Sequence, residues 1–155
     1  MKRRPITESW TLCSTDPDDA ATRNPLGVAP ASTTSRMPQG PWIPATVPGD
    51  VHADLLEAGL IRDPHYDTQA REAYWITSKE WWYRTEFEYD DVHDAVDLCF
   101  EAVDGTADVY LNGGLLGTAE NSFRPHRFTA GTSLRAGRNE RSEERRVGKE
   151  CATGC

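Results

Sequence analysis

Apolar and polar residues alternate in three segments of the chain, and this pattern predicts β-strands with one buried face. The three segments cover residues 82–89, 96–102 and 107–112. Asn112-Gly113 follows the third, which predicts a tight hairpin turn because both central positions of such a turn need positive φ. Shorter runs predict a first strand that begins at Trp10 and further strands at residues 115–119, 123–129 and 137–139.

A single short helix is predicted between the first strand and this group. Asp50 is a candidate N-cap, Leu55 lies on the apolar face, and Gly59 is placed to end the helix in left-handed geometry. The spacing predicts that Asp54 points away from the apolar face. Several one-sided strands with one short helix predict an all-β fold, an antiparallel β-sandwich.

Composition divides the 155 residues into four segments. Residues 1–13 contain the first strand, 14–41 are rich in Pro, Ser, Thr and Gly and read as a loop or insertion, and 42–140 carry the sandwich pattern. In residues 141–155 the charge changes sign and the pattern stops. Since this segment looks like translated adapter or vector read-through, we predict a non-native tail and a sandwich truncated at its C-terminal end.

The charge and its distribution exclude some partners. The net charge is −8, and no Lys or Arg occurs between Arg84 and Arg124 while ten acidic residues do. Such a stretch repels a phosphate backbone or an anionic lipid surface, so we predict neither nucleic-acid nor membrane binding. No secretory signal or apolar membrane span is apparent, and the separated Cys13 and Cys99 favour reduced thiols in the cytoplasm.

Candidate chemistry is sparse. The sequence has no phosphate loop, nucleophile elbow or metal-ligand spacing, so no catalytic residue, metal or cofactor is assigned and substrate-binding residues stay unknown. Trp81 and Trp82 are adjacent on a strand and point to opposite faces, so one is expected to be exposed or covered by a partner. We predict an interface between domains at Tyr74, Trp75, Trp81 and Trp82, with stacking on a sugar ring as the alternative.

Several segments together resemble the N-terminal domain of β-mannosidases, which are family 2 glycoside hydrolases. The most specific is the Val-Pro-Gly-Asp-Val-His run at 47–52 with Leu-Glu-Ala-Gly-Leu-Ile at 56–61. Tyr-Arg-x-x-Phe at 83–87 and Leu-Asn-Gly at 111–113 are shared more widely with β-galactosidases and β-glucuronidases. Gln69-Ala70 stands where relatives often carry Asn-Glu. The resemblance covers about residues 5–13 and 42–140.

The resemblance implies a galactose-binding-like jelly roll and a parent enzyme that removes β-linked mannose from non-reducing ends. In that family, the two catalytic glutamates lie on a downstream (β/α)₈ barrel, which has no counterpart in this chain. Asn139-Glu140 repeats the family's acid/base dipeptide but stands in a Gly-x-Asn turn, so Glu140 is given no catalytic role.

These observations predict an accessory-domain fragment of a β-mannosidase-like enzyme that is inactive alone and whose partners are the missing barrel and, through the parent, a carbohydrate substrate. Three alternatives remain open: a free-standing carbohydrate-binding module, a domain from a β-galactosidase or β-glucuronidase relative, and an interaction domain with no sugar function. If closing strands are missing, we expect the isolated chain to be poorly soluble.

Overall fold

A computed structural model describes the parts of the chain that carry the predicted sandwich. The described residues are 4–6, 9–16, 40–66, 68–90 and 95–146. Most of the predicted insertion at 14–41 and the end of the chain from residue 147 lie outside them.

Eight strands and four short helical segments make up the described residues. The strands are β1 (Trp10–Thr15), β2 (Ile43–Ala45), β3 (Glu80–Tyr89), β4 (Asp97–Phe100), β5 (Thr106–Leu111), β6 (Gly114–Glu120), β7 (His126–Thr129) and β8 (Gly137–Arg146). The helical segments are α1 (Val51–Glu57), α2 (Gln69–Glu72) and two 3₁₀ helices, Ala73–Ser78 and Gly131–Ser133.

The strands form two antiparallel sheets. The larger has the order β2-β1-β3-β8-β5-β6, and the smaller pairs β4 with β7. This arrangement confirms the predicted all-β antiparallel sandwich, to which the structure adds a second short helix, α2. The hairpin between β5 and β6 also lies where it was predicted, with φ of 49° at Asn112 and 84° at Gly113.

The structure confirms the predicted ends of helix α1 but not the prediction of which residues lie on its buried face. The Asp50 carboxylate accepts from the backbone N–H groups of His52 and Ala53, and Gly59 has a φ of 70°. The expectation that Asp54 points away from the apolar side is wrong, since Asp54 is buried. Its Oδ1 accepts the Thr46 N–H at 2.9 Å, a contact with the segment just before the helix that helical spacing does not reveal.

Two apolar clusters among the described residues lie on the same face of the larger sheet. The first lies beneath α1 and the first 3₁₀ helix and contains Trp10, Leu12, Leu55, Ala73, Ile76, Trp81 and Tyr83. The second lies beneath the small sheet and contains Phe100, Val103, Ala107, Val109 and Ala119. Strand β8 runs between them, because it pairs with β3 on one side and β5 on the other.

The sandwich pattern was expected to stop at residue 140, but β8 continues to Arg146. Residues 141–146 are charged or polar, so hydrophobic patterning gives no sign of a strand there. The structure nevertheless pairs all ten β8 residues with β3. The non-native origin of residues 141–155 stays a prediction, since the position of a strand does not report where its sequence came from.

Candidate functional site

The first 3₁₀ helix presents two aromatic side chains to the surface. Residues three apart share a face in such a helix, so Ala73 and Ile76 point into the first apolar cluster. Tyr74 and Trp75, in between, have exposed fractions of 64% and 39%. These side chains are the part of the predicted interface that the structure places on the surface.

Hydrogen bonds hold the helix in this orientation. The buried Trp81 indole N–H donates to the Ile76 carbonyl at 2.9 Å, which ties the helix to β3. The Ser78 hydroxyl donates to the Trp75 carbonyl at 2.7 Å. The Trp81 ring also lies against the Trp75 ring, with centroids 6.0 Å apart and planes at 44°. Trp81 therefore supports the exposed indole from inside the core.

Trp81 and Trp82 are not surface residues, which corrects the prediction that one of them would be exposed or covered by a partner. Their exposed fractions are 2% and 1%. Trp82 lies on the opposite face of β3 and stacks on Tyr110 at 5.7 Å with an interplanar angle of 25°. The alternation rule gave the opposite faces correctly, but it cannot show that both faces are covered within the chain.

A cleft of about 480 Å³ lies beside Trp75. One wall is formed by the residues directly after helix α1, which begin with a turn. In this turn the Gly59 N–H donates to the Leu56 carbonyl at 3.0 Å, and the Leu60 N–H donates to the Leu55 carbonyl at 2.9 Å. This pair of bonds is the Schellman motif that glycine favours at a helix end. The described lining residues are Gly59, Leu60, Ile61, Arg62, Gln69, Glu72, Ala73 and Trp75.

The chemistry of the cleft favours contact over catalysis. Glu72 is the single carboxylate among the described lining residues, whereas glycoside hydrolysis needs two carboxyl groups at a set separation. Across the described part of the chain, no group of three His, Cys, Asp or Glu side chains could hold a metal ion. The same residues contain no helix long and apolar enough to cross a membrane.

Sequence reasoning missed several exposed apolar side chains around this surface. Leu60 is 59% exposed and Tyr66 is 70% exposed. Leu60 directly follows the helix-ending glycine, and an apolar residue there normally packs back on the helix. Its exposure is visible only in three dimensions.

The family described as "Glycosyl hydrolase 2 galactose-binding domain-like" matches residues 10–143, which run from the start of β1 into β8. The chain belongs to this family. The resemblance noted from the sequence is thereby confirmed, and so is the galactose-binding-like fold.

Individual relatives of this galactose-binding-like domain point to β-mannosidases. The β-mannosidase of Rattus norvegicus is 37% identical over 89 residues, which are 56% of this chain and 10% of that protein. β-Mannosidase B of Aspergillus terreus is 36% identical over 98 residues, or 61% of this chain and 12% of that protein. The chain therefore spans about a tenth of the length of these relatives.

Solved structures agree with the fold. The crystal structure of the β-D-mannosidase from Dictyoglomus thermophilum matches with a TM-score of 0.75 and 26% identity, covering 94% of this chain and 16% of that one. The exo-chitosanase of Amycolatopsis orientalis matches with a TM-score of 0.67 at 24% identity, covering 90% and 16%, and this likeness shows the fold alone. The domain is thus an N-terminal domain of a family 2 glycoside hydrolase, best matched to β-mannosidases.

Proposed function

We propose that this domain belongs to an enzyme that hydrolyses terminal β-D-mannosides, and that its role is to buttress the catalytic barrel. The observation that carries the proposal is the pair of aromatic side chains, Tyr74 and Trp75, which are held outward by the hydrogen-bonded 3₁₀ helix. Exposed aromatic groups next to a cleft are typical of contact surfaces. The named relatives support the substrate, since they are β-mannosidases about ten times longer than the matched segment.

The chain alone is expected to be inactive, because its cleft has one carboxylate among the described lining residues. A hydrolysis assay with p-nitrophenyl β-D-mannoside tests this expectation, with the intact Dictyoglomus thermophilum enzyme as the positive control. Turnover by this chain above the buffer rate would contradict the assignment of a purely supporting role.

A chimaera tests the docking role. The matching N-terminal domain of the Dictyoglomus thermophilum enzyme is replaced by this chain, and the thermal midpoint and mannosidase activity are measured. We expect Trp75→Ala and Tyr74→Ala to lower both in the chimaera, and Tyr74→Ala to leave the melting of the isolated chain unchanged because its side chain is 64% exposed. Trp75→Ala also removes the contact with the Trp81 ring, so its effect on the chimaera is compared with its effect on the isolated chain. Phe123→Ala is the matched control, since Phe123 is 99% exposed and follows β6 at the far edge of the larger sheet. Equal effects of all three changes would refute the assigned surface.

One observation favours the alternative of a sugar-binding module. The Trp75 indole stands beside Arg62, Gln69 and Glu72, and an aromatic ring with polar neighbours is suited to a sugar. Titration of the isolated chain with methyl β-D-mannoside, followed by tryptophan fluorescence, distinguishes the two. Saturable quenching that Trp75→Ala abolishes would favour the module, and an unchanged spectrum favours docking.

We also propose a cytoplasmic location. Cys13 and Cys99 are both free thiols, which supports the expectation of a reducing compartment.

A further inference from the structure

Strand β8 is polar on both of its faces beyond residue 140. Its inward positions 141, 143 and 145 are Arg, Glu and Arg, and its outward positions 142, 144 and 146 are Ser, Glu and Arg. Burial does not separate the two sets, since Glu143 on one face and Glu144 on the other have exposed fractions of 0% and 1%. Hydrophobic patterning specifies the register of a strand strongly where one face is apolar, and weakly where both faces are polar. Specific contacts must therefore fix the position of β8 along β3 and β5.

The hydrogen bonds among the inward charges do not fix this position. The Arg141 guanidinium donates to Glu143 Oε2 at 2.7 Å, and the Arg145 guanidinium donates to Glu143 Oε1 at 2.9 Å. Both bonds join residues of the same strand, so they would be kept if β8 moved along its neighbours as a unit with the same face inward. The contact that does depend on register is that of the Arg141 guanidinium with the Phe100 ring, whose centroid lies 4.0 Å away.

The side-chain amide of Asn139, near the start of β8, has a partner at each of its hydrogen-bonding positions. Its Nδ2 donates to the Arg135 and Gly137 carbonyls at 2.7 and 2.8 Å. Its Oδ1 accepts from the Arg135 N–H at 2.9 Å and from Asn112 Nδ2 at 2.8 Å. Two donors and two lone pairs are the full capacity of an amide side chain. Because Asn139 is only 1% exposed, water cannot replace a partner that is lost, and each loss is costly.

Asn112 binds β8 at the point where β5 turns away from it. The last residues that pair the two strands at this end are Leu111 and Arg141. Beyond them, the Asn112 N–H donates to the Glu140 carbonyl at 2.8 Å, and Asn112 Oδ1 accepts the Glu140 N–H at 2.9 Å. Opposed residues of an antiparallel ladder exchange two such bonds between their main chains. The Asn112 side-chain oxygen therefore stands where a main-chain carbonyl would, and it extends the ladder by one position.

The two asparagines together join three segments of the chain. Asn112 Nδ2 donates to the Ser133 carbonyl at 2.7 Å as well as to Asn139, so the β5–β6 turn, the loop before β8 and β8 itself meet at this pair. Asn139 is the only amide side chain in β8. A shift of β8 by one residue would turn Asn139 to the outward face, and a shift by two would move it about 7 Å along the sheet. Either shift breaks its bond to Asn112, and no other residue of β8 has the same groups to replace it.

We infer that the Asn112–Asn139 pair is a register lock, which holds β8 at one position between β3 and β5 and without which β8 shifts along the sheet. The lock also decides where the far end of β8 stands. Arg146 lies opposite Glu80, which closely follows the first 3₁₀ helix and its exposed aromatic side chains. A two-residue shift would move that end of β8 by about 7 Å relative to the aromatic surface. This inference does not rest on the mannosidase proposal.

Competition between two disulfides tests the inference. The full chain carries Glu86→Cys, Glu88→Cys and Arg138→Cys, and it is equilibrated in a glutathione redox buffer. Position 138 lies opposite 88, so its thiol pairs with that at 88 in the observed register and with that at 86 after a two-residue shift. A second reporter chain, with Glu88→Cys, Arg138→Cys and Glu140→Cys, detects a shift in the other direction. Mass spectrometry of proteolytic fragments measures the ratio of shifted to native disulfide. We expect Asn139→Ala to raise this ratio at least about tenfold in one of the two reporters.

Two further variants complete the test, and urea unfolding checks that each is folded. Asn112→Gly keeps the positive φ that the turn needs and removes only the side chain, so it should raise the ratio as well, even if Asn139→Ala does not fold. Arg141→Met is the matched control on the same face of β8. It removes the guanidinium contact with Phe100 and should leave the ratio unchanged. An unchanged ratio in the folded asparagine variants, or an equal rise in Arg141→Met, would overturn the inference. Loss of the native disulfide without a shifted one in either reporter would overturn it as well.

Discussion

Arg141 and Glu143 form an ion pair at 2.7 Å inside the larger sheet, where both side chains are nearly inaccessible to solvent. Their inward positions are adjacent along one face of β8, and Arg145 completes the triad on the other carboxylate oxygen. Glu143 balances only one of the two positive charges, and Arg141 and Glu143 have lost nearly all of their hydration. Removal of one member and replacement of all three are therefore expected to have opposite effects on stability.

Removing the carboxylate should be strongly destabilising. Glu143→Ala leaves the two arginine side chains buried and without their acceptor, and we expect the free energy of unfolding to fall by about 3–5 kcal/mol. That loss is comparable to the whole stability of a marginal domain. Urea unfolding followed by circular dichroism measures the change. The matched control is Glu86→Gln, which breaks the exposed ion pair with Arg138 and should leave the midpoint nearly unchanged. Equal losses in the two variants would contradict the placement of Glu143.

Replacing the whole triad should instead stabilise the domain. Arg141→Leu, Glu143→Val and Arg145→Leu together remove three desolvated charges and continue the apolar face between the two clusters. We expect the unfolding free energy to rise by about 1–4 kcal/mol, because well-packed apolar residues in place of a buried triad often stabilise a protein by this amount. The same urea experiment measures it. A less stable triple variant would mean that the space between β3 and β5 is not shaped for apolar side chains.

The triad should also make stability depend on pH in the acid range. Burial raises the pKa of Glu143, but Arg141 and Arg145 lower it by more, so it lies below its ordinary value of 4.5. As pH falls below that value, the unfolded chain binds the proton before the folded one does, and the free energy of unfolding decreases. The contribution of Glu143 to the free energy of unfolding is fully present at pH values above its ordinary pKa. It is lost as the pH falls toward the lower pKa that this group has in the folded state. Urea midpoints measured at a series of pH values should fall less steeply on acidification in Glu143→Gln than in the unmodified chain. Parallel curves of midpoint against pH for the two proteins would contradict this prediction.

Asp54 is expected to make stability depend on pH in the direction opposite to that of Glu143. Burial raises its pKa above the ordinary 3.8, against the Thr46 hydrogen bond that lowers it, and Asp50 and Glu57 raise it further. The folded state therefore keeps this proton where the unfolded chain has lost it, so this contribution to stability declines as pH rises from about 3.8 through the folded pKa. In Asp54→Asn, which keeps an acceptor for the Thr46 N–H, that decline should be absent and stability at pH 7 should equal or exceed that of the parent chain.

The control for Asp54 is Asp54→Ala. It removes the acceptor of the Thr46 N–H, so we expect a loss of about 1–3 kcal/mol by urea unfolding. If the Asn variant lost as much as the Ala variant, the hydrogen bond at 2.9 Å would not be the interaction that retains Asp54.

Local signals in the sequence predicted the parts of the fold that local chemistry determines. The Asp50 cap, the Gly59 helix end and the Asn112-Gly113 turn each depend on one or two residues and their neighbours. Burial of Asp54 was missed because its partner, Thr46, precedes the helix and is recognised only in space.

The charged half of β8 was missed for a different reason. Arg141 and Glu143 lie where the hydrophobic pattern stops, so the sequence predicts a non-native tail there, whereas main-chain pairing with β3 and β5 holds them inside. At the candidate site, Tyr74 and Trp75 were named from sequence, but the cleft required the α1 turn and the 3₁₀ helix to be brought together. Trp82 was misjudged because alternation does not show what covers the second face.

The contact between the sheets provides a test at Gly117 of β6. A Cβ there would lie 2.8 Å from Cε1 and 3.0 Å from Cδ1 of Phe128, whose ring packs edge-on against Phe100 at 5.8 Å. Gly117→Ala must displace that ring from the second apolar cluster, and we expect a loss of about 1–3 kcal/mol, measured by urea unfolding. Gly114→Ala is the matched control on the same strand, since its Cβ would meet only the Leu111 carbonyl at 3.5 Å, an ordinary contact. A smaller loss for Gly117→Ala than for Gly114→Ala would show that the small sheet does not pack on β6 through Phe128.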